Sequence, residues 1–374
     1  MRKGTEERPP LRITADKIQQ YLRQTFGESA RLSWLGEIGQ AGSQGMKDFG
    51  YGKPLRIEFV VAGRARTAVL SVMRGDKYGH QFYWDRAAIL MFQHATAGRL
   101  PKHVKPVGLG YFDERDAMLA VTEPKEFFIL YDFVEGHDYY EDLERIGREG
   151  VREEDLALAE KFALWLAQIH ADKIDDPDLY LRRIRNLIGA SECIFGLVDS
   201  YPYPYELFKP KQFQSLEKKV VDWRWKLRKY TSRLSVVHGD FHPWNTMVLK
   251  DKAGLDFNVL DRSRGEFGEP ADDVATMSLN FLLFGLYGQT DKPRLSGDFA
   301  RLYTAFWEKY LEASGDQEML SVIAPFYVFR ALVIASPQWY PRHPETVRRG
   351  LFNFMLRVLD DERFDWKNIN KYLD

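Results

Sequence analysis

The chain has 374 residues, of which 45% are hydrophobic and 29% are charged, and its formal net charge is −1 at pH 7. This length allows one large domain or two modest ones with a sizeable core. A charge this close to zero gives no overall field that would select nucleic acid or an anionic membrane.

One cysteine, Cys193, excludes an internal disulfide framework and indicates a reducing compartment. The first residues lack the apolar core of a secretory signal, and the longest apolar run, Ile323–Ala335, is too short to span a bilayer. We therefore expect a soluble, cytoplasmic protein that works without nucleic acid or membrane. The sequence gives no indication of its oligomeric state.

The first hundred residues contain the patterns of two helices and a hairpin. Apolar side chains recur at helical spacing from Ile18 to Phe26, and Gly27 would end that helix. Valine-rich segments at 55–62 and 67–73, separated by a glycine, predict a β-hairpin. A second helix is expected over 83–94.

A glycine-rich segment, Leu32–Gly52, lies between the first helix and the hairpin. It includes Gly39 and Gly42, followed by Ser43. Glycine lets a backbone adopt positive φ and approach a phosphate closely, and a serine hydroxyl can add a donor at the tip. A plain turn is the commoner role of such a segment, so a phosphate-binding role depends on the chemistry found further along the chain.

The rest of the chain is mostly helical by periodicity. A clean amphipathic helix is predicted over 156–170, ending in a histidine expected to be packed rather than a ligand. The basic segment 217–233 predicts a solvated helix surface, with an anionic substrate or partner site as the alternative. Further helices are expected at 274–289, 298–312, 325–336 and 346–359. Arg330 lies inside an apolar run, and a buried guanidinium needs a carboxylate partner, which we favour, or a ligand.

The densest information is in residues 236–270, VVHGDFHPWNTMVLKDKAGLDFNVLDRSRGEFGEP. Asp240 follows an apolar run, Asn245 comes five residues later, and Asp261 ends the second of two apolar segments joined by a charged turn. A hairpin of that kind would return Asp261 to the side of Asn245. Carboxylate and amide oxygens suit Mg²⁺, and a carboxylate in a loop can orient or deprotonate a hydroxyl. Phosphoryl transfer requires this set of groups.

These motifs resemble those of the aminoglycoside phosphotransferase and choline kinase-like family, whose members are related to protein kinases. The match is specific over 236–275 and weaker, but in the expected order, from about 30 to 172. The positions that match the family's HGDxHxxN loop, metal aspartate and GxPxxDxA helix start are His238, Gly239, Asp240, His242, Asn245, Asp261, Gly268, Pro270, Asp273 and Ala275.

The resemblance implies an α+β, two-lobed protein-kinase-like fold. The small, β-rich N-lobe would span 1–130 and carry the glycine-rich nucleotide loop. The larger, mostly helical C-lobe would span 131–374 and carry the catalytic hairpin and the substrate region. The implied reaction is Mg²⁺-dependent transfer of the γ-phosphoryl group of ATP or GTP to a hydroxyl of a small molecule.

The resemblance also implies roles for individual side chains of the catalytic stretch. Asp240 would be the catalytic base, and Asn245 and Asp261 would be the Mg²⁺ ligands. Of the two candidate catalytic histidines, His238 is expected to brace the loop, whereas His242 would either brace it or approach the substrate. We expect Asp273 to brace the same loop from a helix start. Arg262 and Arg264 are expected to have a structural role, with contact to a transferred phosphate or an acidic substrate group as the alternative.

The implied nucleotide site combines the glycine-rich loop with the link between the lobes. In that link Asp132 would offer a carbonyl, Val134 an amide, and Tyr131 would lie beside the base. The segment 126–136 is predicted to be an apolar strand that breaks into a polar turn. The implied phosphate contacts and hinge residues are Gly39, Gly42, Ser43, Ser71, Arg74, Tyr131, Asp132 and Val134.

The sequence departs from the family on the second strand of the N-terminal hairpin. Ser71 occupies the position of the lysine that pairs the α- and β-phosphates, and Asp85 is the nearest acid on the helix that follows. In one interpretation Arg74 or Lys77 takes over the phosphate contact. In the other, the chain is a non-catalytic nucleotide-sensing or interaction protein, a pseudokinase. We favour the first because the aspartate, asparagine and aspartate of the catalytic stretch all remain.

Overall fold

The structure, a computed structural model, describes residues 2–3, 11–37, 54–77, 79–99, 104–122, 124, 126–127, 129–251, 254–289 and 292–374. Within those ranges, every helix is too short or too polar to cross a bilayer. The chain forms two compact units, one of Glu7–Tyr131 and the other of Met1–Glu6 together with Asp132–Asp374.

The helices of the described ranges are α1 (Ala15–Phe26), α2 (Tyr83–Thr96), α3 (Tyr139–Glu149), α4 (Glu153–His170), α5 (Pro177–Gly189), α6 (Ile194–Ser200), α7 (Pro210–Leu227), α8 (Ala271–Leu286), α9 (Gly297–Ser314), α10 (Ala324–Ala335) and α11 (Glu345–Val358). The strands are β1 (Arg2–Lys3), β2 (Arg31–Glu37), β3 (Leu55–Val61), β4 (Arg64–Leu70), β5 (Gly110–Phe112), β6 (Met118–Ala120), β7 (His137–Asp138), β8 (Ile174–Asp175), β9 (Ser235–Val236), β10 (Thr246–Asp251), β11 (Gly254–Val259) and β12 (Phe267–Gly268). Short 3₁₀ helices lie at Ala97–Arg99, Thr231–Arg233, Pro243–Asn245, Gln317–Ser321 and Trp366–Tyr372.

The smaller unit is organised around an antiparallel sheet in the order β2-β3-β4. The apolar face of α1 covers this sheet through Ile18 and Leu22, which are buried with Phe59 of β3. The predicted hairpin is confirmed as β3 and β4, joined by a two-residue turn at Ala62 and Gly63 with φ of 47° and 77°. Positive φ at both turn residues matches the right-handed twist of the flanking strands.

The larger unit is mostly helical, and its core is the pair of buried helices α8 and α10. Almost every side chain of both helices is buried, because α8 packs against α9 on one side and α10 on the other. The predicted helices over 156–170, 274–289, 298–312, 325–336 and 346–359 are confirmed as α4, α8, α9, α10 and α11. The predicted α+β class is likewise confirmed, with the larger sheet in the smaller unit and most helices in the larger one.

A second hairpin in the larger unit is built from β10 and β11. It is antiparallel from the pair Thr246–Val259 to the pair Asp251–Gly254, and β7 joins it on the other side of β10. The turn residues 252–253 lie outside the described ranges. This hairpin was predicted from its two apolar segments, and it positions the candidate metal ligands at its open end.

The strand predicted over 126–136 is wrong for the residues that the structure describes. Residues 129–135 lie in neither helix nor strand, and the side chains of Leu130 and Phe133 are 92% and 89% exposed. A strand needs a neighbour to accept and donate its ladder hydrogen bonds. An apolar run alone therefore predicted a strand where the described part of the chain provides no pairing partner.

The basic segment 217–233 forms two different structures. Helix α7 ends at Leu227, and its half-buried Lys219 pairs with the exposed Asp360 at 2.6 Å, as expected of a helix surface that faces solvent. Arg233, by contrast, is buried in a 3₁₀ turn beyond the helix. The prediction of a helix surface is therefore correct up to Leu227 and wrong for Arg233.

Arg233 is the centre of a buried ion cluster in the larger unit. Its guanidinium donates to Glu269 at 2.8 Å and to Asp316 at 2.6 Å, and the hydroxyl of Tyr180 donates to the second oxygen of Glu269 at 2.9 Å. Burial alone would raise the pKa of Asp316, but the hydrogen bonds and charge of Arg233 outweigh it and lower that pKa. The cluster fixes the segment just before α8 to the turn after α9.

We expect Asp316→Asn to lower the free energy of unfolding by about 2 kcal/mol at pH 7, because it removes a charged hydrogen-bond acceptor from Arg233. The amide keeps the acceptor that caps the amide of Met319, so the loss reports the charge. Since the folded-state pKa of Asp316 lies below that of the unfolded chain, its contribution exists at neutral pH and is lost as the pH falls from about 4 through the lowered pKa.

Urea unfolding at pH 7 and near pH 3 would measure this difference. Glu312→Gln, which breaks the exposed pair between Lys309 and Glu312 on α9, serves as a control and should change stability by less than about 1 kcal/mol. A difference between wild type and Asp316→Asn that is the same at both pH values would contradict the assignment.

Candidate active site

The loop that follows β9 is held by a buried carboxylate at the start of α8. The two oxygens of Asp273 accept hydrogen bonds from the amides of His238 and Gly239 at 2.8 and 2.7 Å. Nε2 of His170 lies 3.2 Å from the same carboxylate, and its Nδ1 lies 3.0 Å from the hydroxyl of Tyr310, both within hydrogen-bond distance. Burial would raise the pKa of Asp273, but these partners lower it, so the carboxylate is ionised. The expected brace and the expected packed histidine are both confirmed.

Glycine is required at position 239 because of its backbone conformation. Its φ of 86° lies in the left-handed region, where side chains with a Cβ are strained. A Cβ there would also lie 3.2 Å from the Cβ of Arg264. The sharp turn at Gly239 sets the direction in which Asp240 leaves the loop.

Of the two carboxylate oxygens of Asp240, one accepts a hydrogen bond from Arg330, and the other has only longer contacts. Arg330 of α10 donates from Nη1 to Oδ1 of Asp240, and from Nη2 to the carbonyl of Gly239 at 2.8 Å. Oδ2 lies 3.7 Å from Nε of Arg264 and 3.8 Å from Nε2 of His242, both beyond hydrogen-bond distance. Burial raises the pKa of Asp240, but Arg330, His242 and Arg264 outweigh it and lower that pKa. An ionised aspartate therefore has one oxygen without a direct hydrogen bond from these neighbours.

The two histidines have different surroundings. His238 is buried, and its Nδ1 accepts a hydrogen bond from the amide of Asp240 at 3.2 Å. His242 is partly exposed, and its Nδ1 accepts from the amide of Trp244 at 3.2 Å. Burial lowers the pKa of His242, so the ring is neutral near pH 7. His238 thus lies inside the loop, whereas the Nε2 of His242 faces the open oxygen of Asp240.

The hairpin brings the two candidate metal ligands to neighbouring positions. The amide of Leu260 donates to the carbonyl of Asn245 at 2.9 Å, so Asp261 follows directly beside Asn245. The side-chain nitrogen of Asn245 donates to the carbonyl of Asp240 at 3.1 Å, which leaves its oxygen as an acceptor. Asp261 has a φ of 54°, a left-handed conformation that aspartate tolerates better than most residues.

These two side chains have the chemistry of a magnesium site. Asp261 is exposed, and within the described ranges its carboxylate has no hydrogen-bond or ion-pair partner. No three histidine, cysteine, aspartate or glutamate side chains of the described residues cluster as a metal site. An amide oxygen and one carboxylate fit Mg²⁺, which keeps several waters and binds substrate phosphates rather than a full protein cage.

The two arginines after Asp261 differ in their contacts. Arg262 donates to the carbonyls of Val237 and Glu266 at 2.8 and 2.9 Å, and so pins the loop before β12 to the strand β9 region, as expected. Arg264 lies between two carboxylates: its Nη1 is 3.8 Å from Oε2 of Glu192, and its Nε is 3.7 Å from Oδ2 of Asp240. Its buried Nε has no hydrogen-bond partner among the described residues. Arg262 is therefore structural, and Arg264 is a cation beside the open carboxylate oxygen.

The described residues that were predicted to bind the nucleotide are mostly exposed and lie outside helices and strands. Gly39, Gly42 and Ser43 lie outside the described residues. Ser71 follows the last residue of β4 and is exposed, as are Arg74, Tyr131 and Asp132, whereas Val134 is half-buried. The carboxylate of Asp85 accepts from the amide of Phe82 at 3.0 Å at the start of α2. Their roles toward a nucleotide stay predictions.

Sequence reasoning missed the contact between Arg330 and Asp240. The sequence indicated that Arg330 needs a carboxylate, and this is confirmed, but the two positions are 90 residues apart. The only signal was a single arginine inside an otherwise apolar helix. That signal identifies the need for a partner without identifying the partner.

The solved structures that this chain matches include an ethanolamine kinase, a choline kinase and a glucosamine kinase. Plasmodium vivax ethanolamine kinase has 13% identity over 95% of this chain and 85% of its own, with a TM-score of 0.33. Choline kinase from Cryptosporidium parvum Iowa II has 9% identity over 96% and 92%, with a TM-score of 0.32. A glucosamine kinase in complex with glucosamine, ADP and inorganic phosphate has 15% identity over 92% and 84%, with a TM-score of 0.39. These values are too low for any substrate to be transferred.

No curated protein matches the sequence. Residues 84–312, more than half of the chain, match the phosphotransferase enzyme family. This region includes the loop, the hairpin and the start of α8, where the motifs were recognised. The family resemblance predicted from those motifs is therefore confirmed, and the predicted kinase-like fold agrees with it. The chain belongs to the phosphotransferase enzyme family.

Proposed function

We propose that this protein transfers the γ-phosphoryl group of ATP or GTP to a hydroxyl group of a small molecule, in a Mg²⁺-dependent reaction. The observation that supports this best is the state of Asp240, which is ionised, held in a braced loop and open at one oxygen. Family membership supports phosphoryl transfer as the chemistry. We further propose that it acts in the cytoplasm on a small-molecule acceptor, without nucleic acid.

In the proposed reaction the acceptor hydroxyl donates a hydrogen bond to Oδ2 of Asp240. The hydroxyl oxygen attacks the γ-phosphorus, the bond from that phosphorus to the bridging oxygen breaks, and the nucleoside diphosphate leaves. The proton passes to Oδ2 as the new bond forms. Because its neighbours lower the pKa of Asp240, this carboxylate is a weak base, which suits a loose transition state in which the proton leaves late. Its main work is then orientation of the hydroxyl.

Asn245 and Asp261 are the proposed ligands of the metal. When bound there, Mg²⁺ would neutralise charge on the β- and γ-phosphates. Arg264, whose Nε lies 3.7 Å from Oδ2 of Asp240 without a hydrogen bond, is proposed as a further cation close to the point of transfer. His242 is proposed to approach the acceptor from the open side of Asp240, while His238 keeps the loop in shape from within.

A second candidate function is a nucleotide-sensing protein without catalysis. The observation that favours it is Ser71, an exposed hydroxyl at the end of β4 where the family places a lysine. A hydroxyl cannot replace a full positive charge on the α- and β-phosphates. In the enzymatic proposal, Arg74 or Lys77 supplies that charge. The two functions differ in whether nucleotide binding is followed by turnover.

We expect wild-type protein to release ADP or GDP when a hydroxylated acceptor from a panel of sugars, amino alcohols, nucleosides and lipid head groups is added with Mg²⁺. Asp240→Asn should lower kcat by about 10²- to 10⁴-fold, because the carboxylate that orients the hydroxyl and accepts its proton is lost. Coupled detection of the diphosphate measures both. Asp256→Asn, which changes an exposed carboxylate on β11, is the matched control and should leave kcat unchanged. Wild-type kcat in Asp240→Asn would contradict the assigned role.

Nucleotide with Mg²⁺ should raise the melting temperature of the wild type by a few degrees. A hundredfold excess over Kd contributes about 2.7 kcal/mol to the folded state. In Asp261→Ala the Mg²⁺-dependent part of this shift should disappear, because the carboxylate ligand is gone. Melting curves with nucleotide alone, with Mg²⁺, and with Mg²⁺ plus chelator measure it. A shift that ignores Mg²⁺ and is equal in wild type and variant would favour the nucleotide-sensing alternative.

A further inference from the structure

We propose that Arg330 is a positioning residue of the transfer reaction, which holds one oxygen of the Asp240 carboxylate so that the other alone is presented to the acceptor. The residue lies on α10, outside the three motifs that identified the site. This inference rests on the function proposed above and adds to it a role for the C-terminal helices.

The geometry of the guanidinium carries the proposal. Arg330 is 5% exposed, and its guanidinium donates four hydrogen bonds to three groups, the carboxylates of Asp240 and Asp272 and the carbonyl of Gly239. Nη1 meets Oδ1 of Asp240, and Nη2 meets the carbonyl of Gly239 at 2.8 Å. Nε and Nη2 both donate hydrogen bonds to Oδ1 of Asp272, at 3.0 and 2.7 Å. A planar fork that is fixed at two other points cannot rotate, so Oδ1 of Asp240 has a fixed partner.

Such a partner matters because an aspartate carboxylate is otherwise free to turn. The torsion that orients the two oxygens joins an sp³ to an sp² carbon and has a broad energy profile. Asp273 braces the amides of His238 and Gly239, but it does not contact the side chain of Asp240. Among the described contacts, the only direct hydrogen bond to that carboxylate comes from Arg330. Orientation of Oδ2 toward an acceptor therefore depends on it.

Asp272 makes this arrangement independent of Asp240. It keeps Arg330 in place with two hydrogen bonds, and it supplies a second negative charge for the buried guanidinium. Asp272 and Asp273 are successive residues in the first turn of α8. One holds the backbone of the catalytic loop directly, and the other holds its side chain through Arg330. The same helix start thus controls both the position and the rotation of Asp240.

A lysine at 330 separates positioning from charge. An ammonium keeps the positive charge but cannot bridge three groups with a rigid fork. If Arg330 positions Asp240, Arg330→Lys should lower kcat by about 10- to 100-fold, the loss that a small misplacement of a reacting group produces. KM and Kd for the nucleotide should stay within about twofold, since the hydrogen bonds of Arg330 go to Asp240, Gly239 and Asp272 and to none of the residues proposed to bind the nucleotide or the metal.

Arg348→Lys is the matched control. Arg348 is a buried arginine on α11 that donates to the backbone carbonyls of Ala335 and Tyr340 and contacts neither Asp240 nor Asp272. It should lose a comparable amount of stability while keeping kcat. Wild-type kcat in Arg330→Lys, or an equal loss of kcat in Arg348→Lys, would overturn the proposal.

A double-mutant cycle in urea unfolding tests the pairing without turnover. The change in unfolding midpoint caused by Asp240→Asn should differ between the wild-type and Arg330→Lys backgrounds, because contacting residues are not additive. Equal changes in both backgrounds would overturn the pairing and leave the proposed function standing. Absence of diphosphate release by wild type with the whole acceptor panel would instead remove the proposed function, while the cycle still reports the pair. The two failures are therefore distinguishable.

Discussion

The organisation of the site depends on an ionised carboxylate buried at the first turn of α8. Asp273 satisfies two consecutive loop amides that would otherwise be buried without acceptors, and His170 and Tyr310 complete its surroundings. An unpaired charge at that depth would cost several kcal/mol, so the loop, the histidine and the helix start are stable only together. Asp273 thus ties the loop of Asp240 to the helical core, and the contacts of the Asp240 side chain depend on that arrangement.

The local parts of the site could be predicted from the sequence because they depend on short-range rules. Two apolar segments around a charged turn define the hairpin, and the hairpin places Asp261 beside Asn245. Helical periodicity defined α4, α8, α10 and α11 for the same reason. Where a pattern required a distant partner, sequence reasoning was less successful. The apolar run before Gly136 was predicted to be a strand, although a strand forms only where another segment of the chain pairs with it.

Arg330 is a second case in which the sequence did not identify a distant partner. Its burial and its need for a carboxylate follow from one charged residue in an apolar helix, and both are correct. Its choice of Asp240 and Asp272 follows from how α8 and α10 pack, which no local pattern encodes. Arg233 is similar, since its place in a buried cluster could not be separated from the basic surface of α7 by charge alone. Buried charges were recognisable, but their partners were not.

The link from Asp240 to α10 has a consequence for how the protein would fail on heating. Helix α10 lies far from the loop of Asp240 in the sequence, yet a guanidinium on it donates a hydrogen bond to the Asp240 carboxylate. Because α10 is itself part of the buried core of the larger unit, Asp240 keeps this hydrogen bond only while that core is intact. On heating, the arrangement of Asp240 would then be lost together with α10, and a nascent chain still lacking residues 324–335 would contain every motif residue without this partner of Asp240.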